Sequence, residues 1–473
     1  MKHLKLIYSA LLVFVICMTG CEDFVEIDTP NFQITSPVVF SDDETASAAV
    51  KGIYNQLYHN NISFSNGWEN SVTVLAGISG GLIAPRNISH TKFGPFAQHD
   101  IDVLNNPAAS SNLNLWSSAY NIIYLTNSAI EGLENSKSIT EATRQRLMGQ
   151  VLFIRAFVYF YLVNLYGDVP LLLSTNYQRN TLAPRTPQVE VWDQIESDLD
   201  QSILLLEKET EYMNGDRTQV NIYVAKAMQA RVCLYRENWI KAEALSSQVI
   251  SQTSNYEVLD DLDQVFLANS REAIWQLFPD KGSSNATNTN EASVFIIYPR
   301  FGLAFGNISL DNDFISEFDI SDKRRNSWVK MYRQELYYVF KYKVRSISVG
   351  YPEYSMVLRF AEQYLIRAEA RAHQDKLNLA IEDLDQIRKR AGLTLISETS
   401  PGINRQELLN IIESERKKEL FAEWGHRWLD LKRTGGVFVE FNKDPFWEDT
   451  DVFYPIPEEE RVKNPNLSQN NGY

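Results

Sequence analysis

The side chains able to do chemistry are scattered. Beyond the first twenty residues the histidines are His59, His90, His99, His373 and His426, and no two stand at a metal-ligand spacing. The chain carries no HExxH, CxxC or GxSxG motif, and neither a Walker loop nor a dinucleotide-binding glycine fingerprint. Cys233 lies among apolar residues of a helical stretch, the setting of a small core side chain. Glu413 with Glu415, or Glu458 to Glu460, could in principle supply the two carboxylates of a glycosidase. They fall in charge-rich stretches, where solvation and ion pairing are the simpler use. No convergent catalytic set emerges, so the chain reads as a binder rather than an enzyme, with no cofactor and no metal site.

Aromatic and polar residues gather in two stretches, and their chemistry is that of sugar binding. Sugar rings expose C–H faces that stack on Trp, Tyr and Phe, while Arg, Asn and Asp bond the hydroxyls. The first stretch offers Trp68, Arg86, Phe93, Phe96 and His99, with Asn87 and His90 beside them. The second offers Tyr298, Arg300 and Phe301, with Phe305, Asn307, Asp311 and Asn312. Trp68, Arg86, Phe93, Phe96, His99, Tyr298, Arg300 and Phe301 are the expected ligand-contact set.

These stretches interrupt a helical frame. Periodicity predicts helices over Asp42 to His59, Leu113 to Glu134, Glu141 to Tyr166, Val189 to Glu207, Val220 to Arg236 and Trp239 to Gln252. Others follow over Ser355 to Gln374, Leu377 to Ala391 and Arg405 to Arg433. Between them lie two long, weakly helical insertions, Asn60 to Ser111 and Asp280 to Gln334, the second opening with KGSSNATNTNEAS. Insertions this long in a compact domain carry function or disorder. Strand-like runs, SVFIIYPR and LYYVFKYKV, sit in or beside the second. The frame also repeats. Ala230 and Ala242 are twelve apart with Trp239 three before the second, and Ala368, Ala380 and Leu377 follow the same spacing. Small residues where antiparallel helices touch, with a large residue at the turn, resemble tetratricopeptide pairs.

The first residues set the compartment. Lys2 and Lys5 precede an apolar run, Leu6 to Ile16, too short to span a bilayer and ended by Thr19, Gly20, Glu22 and Asp23. Residues 1–20 read as a cleaved signal. Met18-Thr19-Gly20-Cys21 resembles a bacterial lipobox, which makes Cys21 the acylated first residue of a tether over 21–41. Ile16 is too large to precede the cut, which disfavours Cys17. Residues 42–473 then form one domain. Its helical scaffold lies mainly at 42–59, 112–270 and 355–435, its ligand-facing insertions at about 60–111 and 280–334, and its tail at 436–473. Losing the signal takes the net charge from −15 to −17 by removing two lysines. An acidic chain without a basic block is a poor partner for nucleic acid. With Cys17 removed and Cys21 acylated, no disulfide can form in the mature chain.

Longer blocks carry a family resemblance. VLFIRAFVYFYLVNLYGDVPLL, AKAMQARVCLY, LRFAEQYLIRAEARA, IRKRAGL and ESERKKELFAEWGHRWLDLKRTG resemble, in order, the blocks of the SusD/RagB family of Bacteroidetes outer-membrane lipoproteins. The closing FYPIPEEERVKNPNLSQNNGY resembles the family's terminal block, and Glu22-Asp23 looks like a surface-export signal of such lipoproteins. The resemblance implies a mainly α fold of four tetratricopeptide-like helix pairs with an irregular, loop-rich ligand-binding subdomain. It also implies a lipid-anchored protein at the cell surface, seated as a lid on a SusC-like TonB-dependent transporter. The implied ligand is a glycan, or in some members a peptide, captured without catalysis. Many glycan binders of the family carry an acidic turn after the first helix. Here the stretch is VLAGISGGLIAP, without an acid, which keeps the peptide alternative open. Asp319, Asp322 and Arg324 look like a structural turn of the family.

Overall fold

A computed structural model describes the chain from residue 39 to 473, apart from 60–61, 102, 104–105, 280–287, 301–302 and 347–349. The signal over 1–20, Cys21 and most of the tether lie outside the described residues, as does Phe301.

Eleven longer helices form the frame: α1 Asp43–His59, α2 Val72–Ser79, α3 Pro107–Asn135, α4 Glu141–Tyr166, α5 Gln188–Leu205, α6 Ile222–Tyr235, α7 Trp239–Ile250, α8 Phe360–His373, α9 Leu377–Ala391, α10 Arg405–Leu420 and α11 His426–Arg433. Consecutive helices pack as antiparallel neighbours, α3 on α4, α4 on α5, α6 on α7 and α8 on α9, and α7 packs on α8 to join two of the pairs. The repeat spacing read from the sequence has its physical cause here. Ala230, Ala242, Ala368 and Ala380 are fully buried where the paired helices approach most closely. Helix α4 is the spine. It is apolar and long enough to cross a membrane by composition alone, yet 94% of its apolar window is buried inside the protein. Thr140 caps its first turn through Thr143 N–H, and Gly167, at φ 70°, ends it.

Short strands pair in four two-stranded antiparallel sheets among the described residues: β1 Ile83–Pro85 with β5 Ile308–Leu310, β2 Ala273–Leu277 with β8 Ser355–Arg359, β3 Tyr298–Arg300 with β4 Leu303–Phe305, and β6 Val329–Tyr332 with β7 Leu336–Val339. Three expectations need correction. Ser355 to Arg359 is a strand that leads into α8, because its five buried residues pair with β2. Arg405 to Arg433 is two helices, broken at Phe421–Gly425, where Ala422, Trp424 and Gly425 all take positive φ. That turn drives Trp424 into the core, where its indole N–H donates to Met356 O at 2.6 Å. The first insertion is more ordered than its composition suggested. Every residue of α2 is buried, and α3 begins at Pro107 inside the stretch read as loop, capped by Asn106 through Ala109 N–H.

A buried ionic cluster ties the second half of the chain together. The Arg359 guanidinium bonds Glu272, Glu419 and Glu423, Arg390 reaches Glu272 and Glu419, and Arg324 holds Asp322, Glu415 and Glu419. Burial alone would raise the Glu419 carboxyl. The guanidinium groups of Arg390, Arg359 and Arg324 outweigh that and hold it well below the usual carboxylate range. Asp322 and Arg324 are thus a structural turn.

Candidate functional site

The two insertions, far apart in sequence, meet in space. The β1–β5 ladder sets Ile83 opposite Leu310 and Pro85 opposite Ile308. Arg86 extends it, its backbone N–H donating to Asn307 O at 2.8 Å and its Nη1 to Gly306 O at 2.9 Å. Asn290 completes the junction: its backbone N–H donates to the Tyr58 hydroxyl of α1 and its Nδ2 to Asn66 O. Gly67, at φ 72°, lies so close to the Glu291 carboxyl that a Cβ would come within 2.2 Å of it.

Beside this junction lies a cavity of about 380 Å³, at the root of both insertions. Helix α1 ends at His59, just before the first insertion, and contributes Lys51, Tyr54 and Asn55 to its wall. Strand β2 ends at Leu277, just before the second, and contributes Leu277 and Phe278. The β2–β8 ladder sets Leu277 opposite Ser355, which brings Tyr354 to the same wall. Phe278 packs 4.6 Å from the Tyr351 ring and 5.3 Å, edge to face, from Tyr354. All three rings are half-buried, so each keeps an open edge or face. The polar side of the cavity carries Asp216, Thr218 and Gln219 with Lys51 and Asn55. Nearby, Glu353 accepts the backbone N–H groups of Lys343 and Val344, and Arg345 stacks 3.5 Å from the centroid of Tyr298. A lining that combines rings with amide, ammonium and carboxylate groups suits a polyhydroxylated ligand with flat apolar faces.

The residues expected from sequence divide between rim and interior. Trp68 is half-buried, Arg86 is exposed and Tyr298 is half-buried under Arg345; these three reach the surface of the insertions. Phe93 and Phe96 are fully buried. Phe93 lies beneath His90 and Phe96 meets the edge of Tyr454, so neither ring has a face to offer. His99 is enclosed by Trp428, Phe441 and Trp447 at 5.3, 4.4 and 5.0 Å. Burial pushes its pKa down to about 4, leaving it neutral at pH 7. Phe93, Phe96 and His99 are therefore core residues that brace the first insertion. Arg300 ends β3, and Phe301 is outside the described residues. Sequence reasoning missed Phe278, Tyr351, Tyr354, Lys51 and Gln219. The signal was present in GYPEYS, where two tyrosines flank a proline just before a strand.

The groups considered for catalysis are engaged elsewhere. Glu413 pairs with Arg427, Glu415 with Arg324 and Arg388, Glu458 with Arg461 and Glu460 with Lys463. Cys233 is fully buried, and burial pushes its thiol up to about 12, far from a nucleophile's range.

A helical-repeat frame with an open aromatic and polar cavity defines a ligand-binding protein. Residues 311–473 match the family model described as SusD family, and residues 79–234 match the one described as starch-binding associating with outer membrane. Over these two stretches the chain is similar to SusD-like families. The SusD-like protein P25 of Formosa agariphila is 25% identical over 539 aligned positions that cover the whole of both chains. A SusD superfamily protein from Parabacteroides distasonis superposes with a TM-score of 0.77 at 22% identity, covering 93% of this chain and 100% of that one. A laminarin-binding SusD-like protein superposes at 0.71 with 21% identity, covering 92% and 100%.

Proposed function

We propose that this protein captures an oligosaccharide at the cell surface and delivers it to a SusC-like TonB-dependent outer-membrane transporter, without catalysis. The cavity carries the reading: its lining combines the Phe278 and Tyr354 rings with Lys51, Asn55 and Gln219, near where both insertions leave the frame. Trp68, Arg86 and Tyr298 extend the contact surface, and Arg300 and Phe301 stand as further contacts expected from the sequence. Support comes from a family model described as starch-binding and from a neighbour described as laminarin-binding. Removal of residues 1–20 and acylation of Cys21 place the protein on the outer membrane, with 21–41 as its tether.

Calorimetric titration with maltohexaose, laminarihexaose, cellohexaose and xylohexaose, against a set of oligopeptides, tests the ligand class. Binding of one hexasaccharide, weakened by Phe278→Ala, is the expected result. Binding of peptides alone replaces the reading with peptide capture. Radiolabelled palmitate should enter the wild-type protein and not Cys21→Ser, and a co-purified transporter should identify the partner.

A further inference from the structure

A second cleft, of about 390 Å³, opens on the repeat frame, in walls drawn from α6, α7, α8, α10 and α11 and sharing no residue with the first cavity. Its most ordered feature is a pair of flat rings. Trp239, at the α6–α7 turn, and His373, at the end of α8, stack 3.9 Å apart and within 5° of parallel. Both are half-buried, so the pair presents an apolar edge to the cleft. Around it are polar groups with capacity to spare. The Tyr235 hydroxyl is buried without a hydrogen-bond partner among the described residues, a costly arrangement that a ligand hydroxyl would relieve. Among the described residues Asn410 uses its Oδ1, which accepts from Gln406, and its Nδ2 is left to donate. Glu237 is exposed at the rim, without an ion pair among the described residues. Below them, Arg433 and Glu369 form a two-bond pair at 2.6 and 2.9 Å, which fixes the polar floor. Burial lowers the His373 pKa, so the neutral imidazole offers one donor and one acceptor at pH 7.

We propose that this cleft is a second saccharide-binding site, with Trp239 and His373 as the apolar face and Tyr235, Asn410 and Glu237 as hydroxyl partners. The proposal rests on the glycan reading for its ligand class. Two sites on one molecule raise the avidity for long chains that reach both, with no new contact needed.

Calorimetry on the full chain in detergent, with the same four hexasaccharides, decides it. Two binding events per molecule are expected for wild type, one for Phe278→Ala, one for Trp239→Ala and none for the double variant. Tyr235→Phe, which removes one oxygen and leaves the packing, should weaken the second event about threefold to tenfold. A single event, lost in Phe278→Ala and unaltered by Trp239→Ala and Tyr235→Phe, overturns this site and leaves the glycan reading standing. An event that survives Phe278→Ala and disappears in Trp239→Ala supports it. Failure of every hexasaccharide to bind wild type overturns both.

Discussion

Phe278 is the ring on which most of the expected contact depends, since Tyr351 and Tyr354 both lean on it. Replacing it with alanine should weaken oligosaccharide affinity at the first cavity about a hundredfold, or roughly 3 kcal/mol, enough to take that event out of calorimetric range. The sequence conceals this residue for a physical reason. IWQLF reads as buried strand, and the ladder's end turns Phe278 outward only because a tyrosine some seventy residues later packs beside it. Phe93, Phe96 and His99 mislead in the opposite sense, because composition cannot tell a ring that braces a loop from one that faces solvent. A second residue has its own titration. Lys432 donates to Asn164 O at the end of α4 and lies 4.4 Å from the Phe453 ring, with no carboxylate paired to it among the described residues. Burial pushes its pKa down to about 7. Between there and the ordinary value near 10.5 the unfolded chain holds more protons, so stability rises with pH across that window. Lys432→Met should flatten the rise, measured as urea midpoints at pH 6 and pH 10.

Among the elements, the break between α10 and α11 was the least legible. Periodicity runs through Arg405 to Arg433 without interruption, and left-handed Ala422 and Trp424 contradict local propensity. Tertiary packing imposes the turn: Trp424 must reach Met356, and Gly425 must pass Ala76 of α2. A Cβ on Gly425 would lie 2.6 Å from the Ala76 Cβ and sit at φ 66°. Gly425→Ala should therefore cost about 1–3 kcal/mol in chemical denaturation, through strain and a loosened α2–α11 contact. The helix pairs were legible because their signal is spacing: small residues twelve apart and a large one at the turn prescribe a hairpin whatever surrounds it. Leu377 to Ala391 appears with its expected ends, since Gly392 in the left-handed region supplies a strong stop.

For the whole molecule, the buried ionic cluster decides how the second half of the chain holds together. Glu419→Gln would leave Arg390, Arg359 and Arg324 short of countercharge, and loss of about 3–5 kcal/mol is expected in urea denaturation. The sign with pH follows from the depressed Glu419 carboxyl. Its contribution is full above the ordinary value near 4.5 and drains as pH falls below it, so wild type should unfold in acid more steeply than Glu419→Gln. The family blocks in the sequence flagged these residues as framework without revealing that Glu272, just before β2, joins Arg359 of β8 in the same cluster.

The ladder between β1 and β5 has a consequence for anyone redesigning the protein. Each insertion supplies one strand of the other's support, so transplanting a single loop from a relative would leave a half-sheet with no mate. Altered taste for ligands must come from exchanging both segments together, or from point changes on the rings that leave their shared seam intact.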